Sequence, residues 1–554
     1  MDGRSTAAGG AKPRGGGAAL VLLTAAALAL RLVHLTRFEL FVDEAATWWF
    51  ARLTAAGRLA EQMALEPTPP LYYGLVGVLM RVFGESDLVM RLPSAVFGAA
   101  TIPAVYFLGR DLFGRRVGWI AALILAFHPL HVFYSREARV YPLLLLLTVV
   151  LLWTLWRALE EDRRGRWIAC AGVLTAIAYC HFYGLFVLLT AAVAVVVLAR
   201  DRRARWRGLL TVTVAGAAFS PYLLATLPHL KQSGAAWSIE TFYRDLPEEK
   251  RLGRVLEQQL VGADYHAYLR QLDRPPTPGL LRFACVLAQA LLLAWAAWAR
   301  MADRSRALGF LLLAWLLPLL VPWGITHSFR AIFHSGRHDV YVLGAAVVLL
   351  AVGLEALWRP PRRRWIAIAI AAVLVAGAGH RLLWLHRGPV ALEARRTGDW
   401  IAAHAGPGDL VVAAGIRRLV SEHYTRLAGG ETSFESFPRG TDAHPGWSDV
   451  MALKDDQEAL HREARRRVAE LQAAAVEQVF LLLRTYRSTA DAVSATWLVD
   501  RHLVENLWAA GWRTRNPPGA EELHIAVYVA PSRTAGSTRG HPAEYLEGAR
   551  RETP

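Results

Sequence analysis

The stretch Phe41-Val42-Asp43-Glu44-Ala45-Ala46-Thr47-Trp48-Trp49 follows closely on the first long apolar segment, Ala18 to Leu35, and sets two adjacent carboxylates beside paired tryptophans. Tryptophan favours the headgroup level of a bilayer. The stretch is therefore expected along the interface, where a carboxylate can meet a lipid head group on one side and a water-borne molecule on the other. Read this way, the chain is a membrane protein with acid placed where chemistry can use it.

The composition agrees. Hydrophobic residues make up 54% of 554 residues, 20 of them are tryptophan, and the mean hydropathy is +0.27, too apolar for a soluble globular chain. Apolar stretches of about 20 residues mark bilayer spans. Candidates lie near Ala18 to Leu35, Met90 to Leu108, Val117 to Phe133, Tyr141 to Trp156, Trp167 to Cys180, Gly184 to Ala199, Gly208 to Leu227, Leu280 to Trp298, Leu308 to Trp323, Val340 to Leu357 and Trp365 to Leu385. That is about eleven spans, and the two flanking His181 are short enough to form one bent element.

The net charge of +16 and pI near 10.1 would suggest nucleic acid in a soluble chain, but here the arginines cluster at alternate span ends and report orientation. Arg110, Arg115 and Arg116, then Arg163, Arg164 and Arg166, then Arg200 to Arg207, then Arg304 and Arg306, then Arg359 to Arg364 all fall on the side of Arg4, Lys12 and Arg14. The positive-inside rule makes that side cytoplasmic. Asp43 and Glu44 are then outside, with residues 228–279 and everything after about Arg387. An integral, multi-pass protein of the cytoplasmic membrane is expected, with no nucleic-acid partner.

Residues 1–17, rich in Gly, Ala and basic side chains, are read as a disordered cytoplasmic N-terminus; no small-residue cleavage site follows to make them a signal peptide. Cys170, Cys180 and Cys285 lie in or near spans, which supports neither a disulfide framework nor a thiolate metal site. Residues 18–387 form the membrane domain, with an outer loop over 38–89 and a second large one over 228–279. Beyond them, residues 388–531 alternate helix and strand periodicity: helix Ala394 to His404, strand Leu410 to Ala414, a long exposed helix Asp455 to Ala475, strand Val479 to Leu483, helix Ala495 to Ala510, strand His524 to Val529. This is a small α/β domain without a phosphate-binding glycine loop, accessory in role, and residues 532–554 are expected to be disordered.

Three outer features stand with Asp43. After Glu66-Pro67-Thr68-Pro69-Pro70, the helix Leu71 to Phe83 is too short to span and is expected in the interface, where Tyr72, Tyr73, Met80 and Phe83 would form an apolar platform under a lipid chain or, equally for each residue, pack against neighbouring helices. The turn Tyr134-Ser135-Arg136-Glu137-Ala138-Arg139-Val140-Tyr141-Pro142 carries two arginines where outer loops avoid them. An arginine fork fits a phosphate or a carboxylate, and Glu137 is an equal candidate partner. His181 and the stretch His334-Ser335-Gly336-Arg337-His338-Asp339 emerge on the same side.

This ordered set resembles the GT-C membrane glycosyltransferases, and within them family 39, related to protein mannosyltransferases, lipid A aminoarabinose transferases and lipopolysaccharide-core galacturonosyltransferases. The resemblance covers residues 18 to about 385. It implies transfer of a sugar from a polyprenyl-phosphate donor to a lipid, glycan or protein acceptor on the outer face, usually with inversion. By resemblance Asp43 is the general base. The chemistry concurs: a phosphate leaves without a general acid, so one carboxylate base and cations on the departing phosphate suffice. Arg139 and Arg337, with Arg136, are assigned to the phosphate, Tyr141 and His181 to hydrogen-bonding support, Glu137 to orienting an arginine, and Tyr72 to support. Glu44 is expected to position Asp43 or bind acceptor hydroxyls, or else only to supply helix N-terminal charge; for Asp43 the plain structural alternative is an N-cap.

Where many relatives carry a histidine or an acid ahead of the double proline, this chain has Thr68, so no metal or acceptor contact is carried over to it. No obligatory metal is expected, although a divalent cation between Asp43, Glu44 and a donor phosphate is compatible with the wider superfamily. The competing classes are a transporter or flippase, which calls for paired repeats and broken mid-membrane helices that are not evident, a noncatalytic binder of lipid-linked sugar, and a polysaccharide polymerase or ligase of the same fold. Mannose, aminoarabinose, galacturonic acid and arabinose all fit the motifs.

Overall fold

The structure is a computed structural model of the chain, and it describes residues 15–65, 67–230, 277–301, 306–329, 332–333, 337–387, 392–413, 417–438, 456–483 and 490–531. The two proposed disordered ends lie outside these residues, apart from 15–17 in the first helix, as does most of the loop 228–279.

Every apolar stretch read from the sequence is helical: α1 Gly15–Leu32, α5 Asp87–Phe113, α6 Arg115–Ala126 with α7 Pro129–Tyr134, α8 Tyr141–Glu161, α9 Arg164–Cys180, α10 Gly184–Leu198, α11 Arg202–Leu230, α12 Gly279–Met301, α13 Arg306–Ser328, α14 Leu343–Trp358 and α15 Arg364–Arg387. Among the described residues, seven helical segments, those of α5, α8, α11, α12, α13, α14 and α15, are long and apolar enough to cross a membrane. The chain is a multi-pass membrane protein.

Two spans differ from expectation in outline. The stretch Val117 to Phe133 is not one span but two helices, because Pro129 offers no amide hydrogen and holds His128 extended (φ −67°, ψ 119°). The short pair about His181 is two helices packed on each other, α9 ending where His181 turns extended (φ −161°, ψ 148°).

Between α1 and α5 the chain forms α2 Val42–Ala55, α3 Leu59–Leu65 and α4 Leu71–Phe83. The expected lipid platform on α4 is corrected: Tyr72, Tyr73 and Met80 are buried in the main core against α2, and only Phe83 is exposed. Trp48 likewise does not sit in a headgroup layer. It is fully buried, its Nε1 donating to Glu85 Oε2 at 2.7 Å and its ring meeting that of His423 edge-on at 5.1 Å. The burial of an aromatic pays here through packing while its N–H keeps a partner.

The C-terminal part is a five-stranded sheet in the order β2-β1-β3-β5-β4, built from β1 Leu410–Ala413, β2 Ser433–Ser436, β3 Gln478–Leu482, β4 Arg513–Thr514 and β5 Ile525–Val529. β1 pairs in parallel with β2 and β3, and β5 runs antiparallel to β3 and β4. Strand alternation divides the core in two. Leu410, Val412, Val479 and Leu481 face α18 Gln457–Ala473 and α19 Ala490–Ala509, while Val411, Phe480 and Val527 face α16 Glu393–His404. The helix expected to be exposed, α18, buries a stripe of Leu460, Ala464, Val468 and Leu471, the i, i+4 spacing of one helix face.

One helix of this domain is not among those expected from the sequence: α17 Arg417–Leu427. It docks on α2, and Leu419, Val420 and Tyr424 join the core of the membrane part. At the same seam Asp87, at the first residue of α5, accepts from Arg395 Nη2 (2.7 Å) and the Tyr424 hydroxyl (3.1 Å) and lies 2.9 Å from His423 Nε2. Leu40 N–H donates to the Tyr424 oxygen at 2.7 Å, and Arg395 N–H to Glu39 Oε1 at 2.9 Å. The segment leading into α2 is therefore fastened to the sheet domain.

Candidate active site

Helix α2 begins two residues after Leu40, and its first turn carries both acids. Phe41 is the N-cap, with extended backbone, so Asp43 is not one. Capping falls to Glu44, whose Oε2 accepts the Phe41 N–H at 2.9 Å. The acid at the third helical position reaching back to the cap amide is the half of a capping box that any N-cap residue can receive.

Glu44 does more than cap. It is fully buried and paired with fully buried Arg91 of α5 through two 2.7 Å bonds, Nε to Oε1 and Nη2 to Oε2, and Oε1 also accepts Ala138 N–H at 2.8 Å. Arg91 spends its remaining donors on the carbonyls of Leu35, Phe38 and Glu39, at 2.8 to 3.0 Å. A buried ion pair holds only when its remaining donors and acceptors are satisfied, and this one is. Glu44 is thus turned away from any acceptor: it joins α2, α5 and the turn after α7, and so fixes where its neighbour Asp43 stands. Arg91 has no role assigned from the sequence, although an arginine at the expected outer end of a span breaks the same charge rule that flags Arg136 and Arg139.

Asp43 is buried and faces two of the arginines expected beside it. Arg337 Nη2 lies 2.8 Å from Oδ2 and Arg139 Nη2 3.9 Å from it. Arg139 also donates through Nη1 to the Asp43 carbonyl at 2.9 Å. Both guanidiniums reach one acceptor, the Tyr141 hydroxyl oxygen, at 2.6 Å from Arg337 Nε and 3.3 Å from Arg139 Nη2. The second carboxylate oxygen, Oδ1, is buried and accepts no hydrogen bond among the described residues. Burial opposes the charge of Arg139, but the Asp43 carboxylate more than offsets this and holds the guanidinium above its ordinary value.

The support is local. Ser94 Oγ donates to the Arg139 carbonyl at 3.0 Å and lies 2.7 Å from the Tyr72 hydroxyl, so Tyr72 acts on the arginine turn through Ser94. Helix α5 can pass this close to the turn because residue 98 is glycine; a Cβ there would stand 2.1 Å from Ser135 Oγ. His181 takes the Tyr183 N–H on Nδ1 at 3.1 Å, and its ring lies 6.2 Å from that of Tyr141 and 5.9 Å from that of His338. Glu137 is buried in the same turn.

Arg136 is the assignment the structure overturns. Its guanidinium points back to the end of α1, donating to the carbonyls of Leu30 (3.4 Å), Arg31 (3.2 Å), Val33 and His34 (2.7 Å). A charged fork on the last carbonyls of a helix is a C-terminal cap, and the spacing Arg-x-x-Arg in the turn aims the two side chains apart. It is not at the Asp43 cluster.

The comparisons with known proteins bear on the fold. A family model described as dolichyl-phosphate-mannose-protein mannosyltransferase matches residues 67–225. A protein named putative mannosyltransferase YkcB, from Bacillus subtilis (strain 168), is 25% identical over 134 residues, which is 24% of this chain and 18% of that relative. Among solved structures, the archaeal oligosaccharyltransferase AglB from Archaeoglobus fulgidus, in complex with an inhibitory peptide and a dolichol phosphate, is similar with a TM-score of 0.56 at 13% identity, covering 96% of this chain and 77% of that one. ArnT from Cupriavidus metallidurans bound to undecaprenyl phosphate is similar with a TM-score of 0.55 at 15% identity, covering 94% and 100%. These likenesses show the fold: that of the GT-C membrane glycosyltransferases, with the C-terminal domain attached.

Proposed function

We propose that this protein is an integral-membrane glycosyltransferase that moves a sugar from a polyprenyl-phosphate donor to an acceptor hydroxyl at the outer face of the cytoplasmic membrane. The observation that carries the reading is the Asp43 carboxylate, whose Oδ2 faces Arg337 and Arg139, two guanidiniums that share the Tyr141 oxygen, and whose Oδ1 is buried and accepts no hydrogen bond among the described residues. It gains support from a family model and one relative whose names speak of mannosyl transfer, and from solved structures of the same fold that hold dolichol phosphate or undecaprenyl phosphate.

In this scheme the acceptor hydroxyl gives its proton to Asp43 Oδ1 as its oxygen attacks the anomeric carbon. The bond from that carbon to the phosphate oxygen breaks, its electron pair leaves with the polyprenyl phosphate, and the sugar configuration inverts. Arg139 and Arg337 receive the charge that develops on the phosphate, and preorganised cations in a buried site stabilise such charge strongly. Tyr141 holds the two guanidiniums in place, and His181 stands behind it. Glu44 acts as a positioning residue. Both of its oxygens already accept two hydrogen bonds each, so of the two acids only Asp43 is left to offer a carboxylate, and the displacement is written without a metal.

The test is transfer from a panel of polyprenyl-phosphate sugars, in membranes carrying the wild-type chain or Asp43→Asn. Transfer by wild type with a loss of at least about a hundredfold in the variant supports the scheme, since a general base contributes on that scale. Equal transfer by both sinks Asp43 as the base.

A further inference from the structure

Away from the Asp43 cluster, on the sheet domain, α18 and α19 lie side by side over one face of the sheet, burying Leu460, Ala464 and Val468 against Leu503, Val504 and Leu507. Beside this seam stand His461 of α18 and His502 and Glu505 of α19. One ligand atom from each, a ring nitrogen of each histidine and a carboxylate oxygen of Glu505, all lie within 4.8 Å of one another. His502 and Glu505 are three apart, so both project from one side of α19, facing His461 across the gap. The two imidazoles approach with ring centroids 5.7 Å apart and 72° between planes.

The hydrogen bonding of these groups is unusual. Both ring nitrogens of His502 are buried, and neither has a hydrogen-bond partner among the described residues. An imidazole has one nitrogen that must donate or be lost to solvation and one that must accept, and buried polar atoms left so call for an explanation such as a bound ion. The neighbours are arranged as an outer layer: Asn506 Nδ2 lies 3.3 Å from His461 Nδ1 and donates to the His502 carbonyl at 2.8 Å, and Arg501 Nε donates to Glu505 Oε1 at 2.6 Å, leaving Glu505 its other oxygen. Groups that hydrogen-bond ligand side chains fix their orientation.

We infer that His461, His502 and Glu505 form a binding site for a borderline divalent transition-metal cation, zinc foremost, that fastens α18 to α19. Two imidazoles and one carboxylate are a donor set that favours zinc over magnesium or calcium, which prefer oxygen alone. Three protein ligands leave a fourth position to water. The ligands close on the ion by side-chain rotation, drawing the two helices together at their exposed edge, where the apolar seam ends.

The experiment uses the full chain in detergent, stripped with chelator and titrated with zinc and, separately, with cobalt. One equivalent of zinc is expected to bind and raise the unfolding temperature, and cobalt to give the visible absorption bands of a four-coordinate ion. His502→Gln and Glu505→Gln should each weaken binding at least about tenfold, whereas Asp43→Asn leaves it unchanged. Glu505→Gln guards the test against misfolding, because that side chain is partly exposed on the helix surface. The proposal is overturned if the wild-type chain takes up no zinc, or if both ligand variants bind it as tightly as wild type. Loss of the zinc signal in Asp43→Asn with its retention in the ligand variants would place the ion at the other site and also overturn it.

Discussion

Arg337 holds Asp43 and Tyr141 at once, with Nη2 2.8 Å from the carboxylate and Nε 2.6 Å from the phenol oxygen. A guanidinium can do this because its donors form a rigid planar fork; an ammonium presents its three donors from a single atom and cannot match two acceptors spaced for that fork. Arg337→Lys keeps the charge but loses the fork, and sugar transfer should fall by about 10²–10³ in kcat, the scale of removing one preorganised donor from a charged transition state. Tyr141→Phe, which removes the acceptor shared by both arginines, should fall less, by roughly tenfold, the low end for hydrogen bonds to charged groups, because both guanidiniums keep their charge and their place at Asp43. Single-turnover transfer rates measure both, and a lysine variant with wild-type kcat contradicts the assignment.

Glu44 and Arg91 should behave as a structural unit. Removing one member of a fully buried pair strands the other charge, so Glu44→Ala and Arg91→Ala should each destabilise the protein by about 3–5 kcal/mol. Glu44→Met combined with Arg91→Met should cost clearly less than the sum of the two single methionine changes. A double-mutant cycle on thermal unfolding of the detergent-solubilised chain tests this, and additive effects would refute the unit.

The same logic separates Arg136 from its neighbour Arg139. Arg136→Gln should lower stability by about 1.5–3 kcal/mol through lost charge-assisted bonds to the end of α1. The donor KM of the folded fraction should stay near wild type. Arg139→Gln should instead depress kcat. If kcat of the folded fraction falls as steeply in Arg136→Gln as in Arg139→Gln, the helix-capping assignment is wrong.

Glu39 predicts a pH effect at the seam with the sheet domain. Burial, only partly countered by the Arg395 amide, pushes its carboxyl above the ordinary value of 4.5. The native state then binds this proton more tightly than the unfolded chain does. The stability contributed by the protonated form is full below the unfolded value and is lost as pH rises through the raised native one. Glu39→Gln, which still accepts the Arg395 N–H, removes that loss. The gap in unfolding temperature between the variant and wild type should therefore widen in the variant's favour from about pH 4 to pH 7; a constant gap would count against it.

The membrane helices were legible because apolar runs and arginine clusters are long-range averages that single residues do not upset. The site was half legible. Asp43, Arg139, Arg337 and Tyr141 come together as their types and topology suggest, since a buried carboxylate demands cations near it. Arg136 and Glu44 could not be sorted from the sequence, because a charged side chain reads the same whether it faces a ligand or a helix end. Tyr72 and Trp48 were misplaced for a related reason: aromatics suit a lipid surface and a packed core equally. Helix α17 is harder to read because its three buried apolar residues, Leu419, Val420 and Tyr424, are interleaved with the buried polar residues Ser421, Glu422, His423 and Thr425.

The short segment ahead of α2 is tied on two sides: Leu40 and Glu39 to Tyr424 and Arg395 of the sheet domain, and the carbonyls of Leu35, Phe38 and Glu39 to Arg91 in the membrane. Asp43 hangs three residues beyond Leu40. A strap anchored at both ends has no slack, so the position of the Asp43 carboxylate is set jointly by a membrane helix and by the sheet domain. Exchanging the sheet domain between relatives would then shift the Asp43 cluster without touching a residue in it.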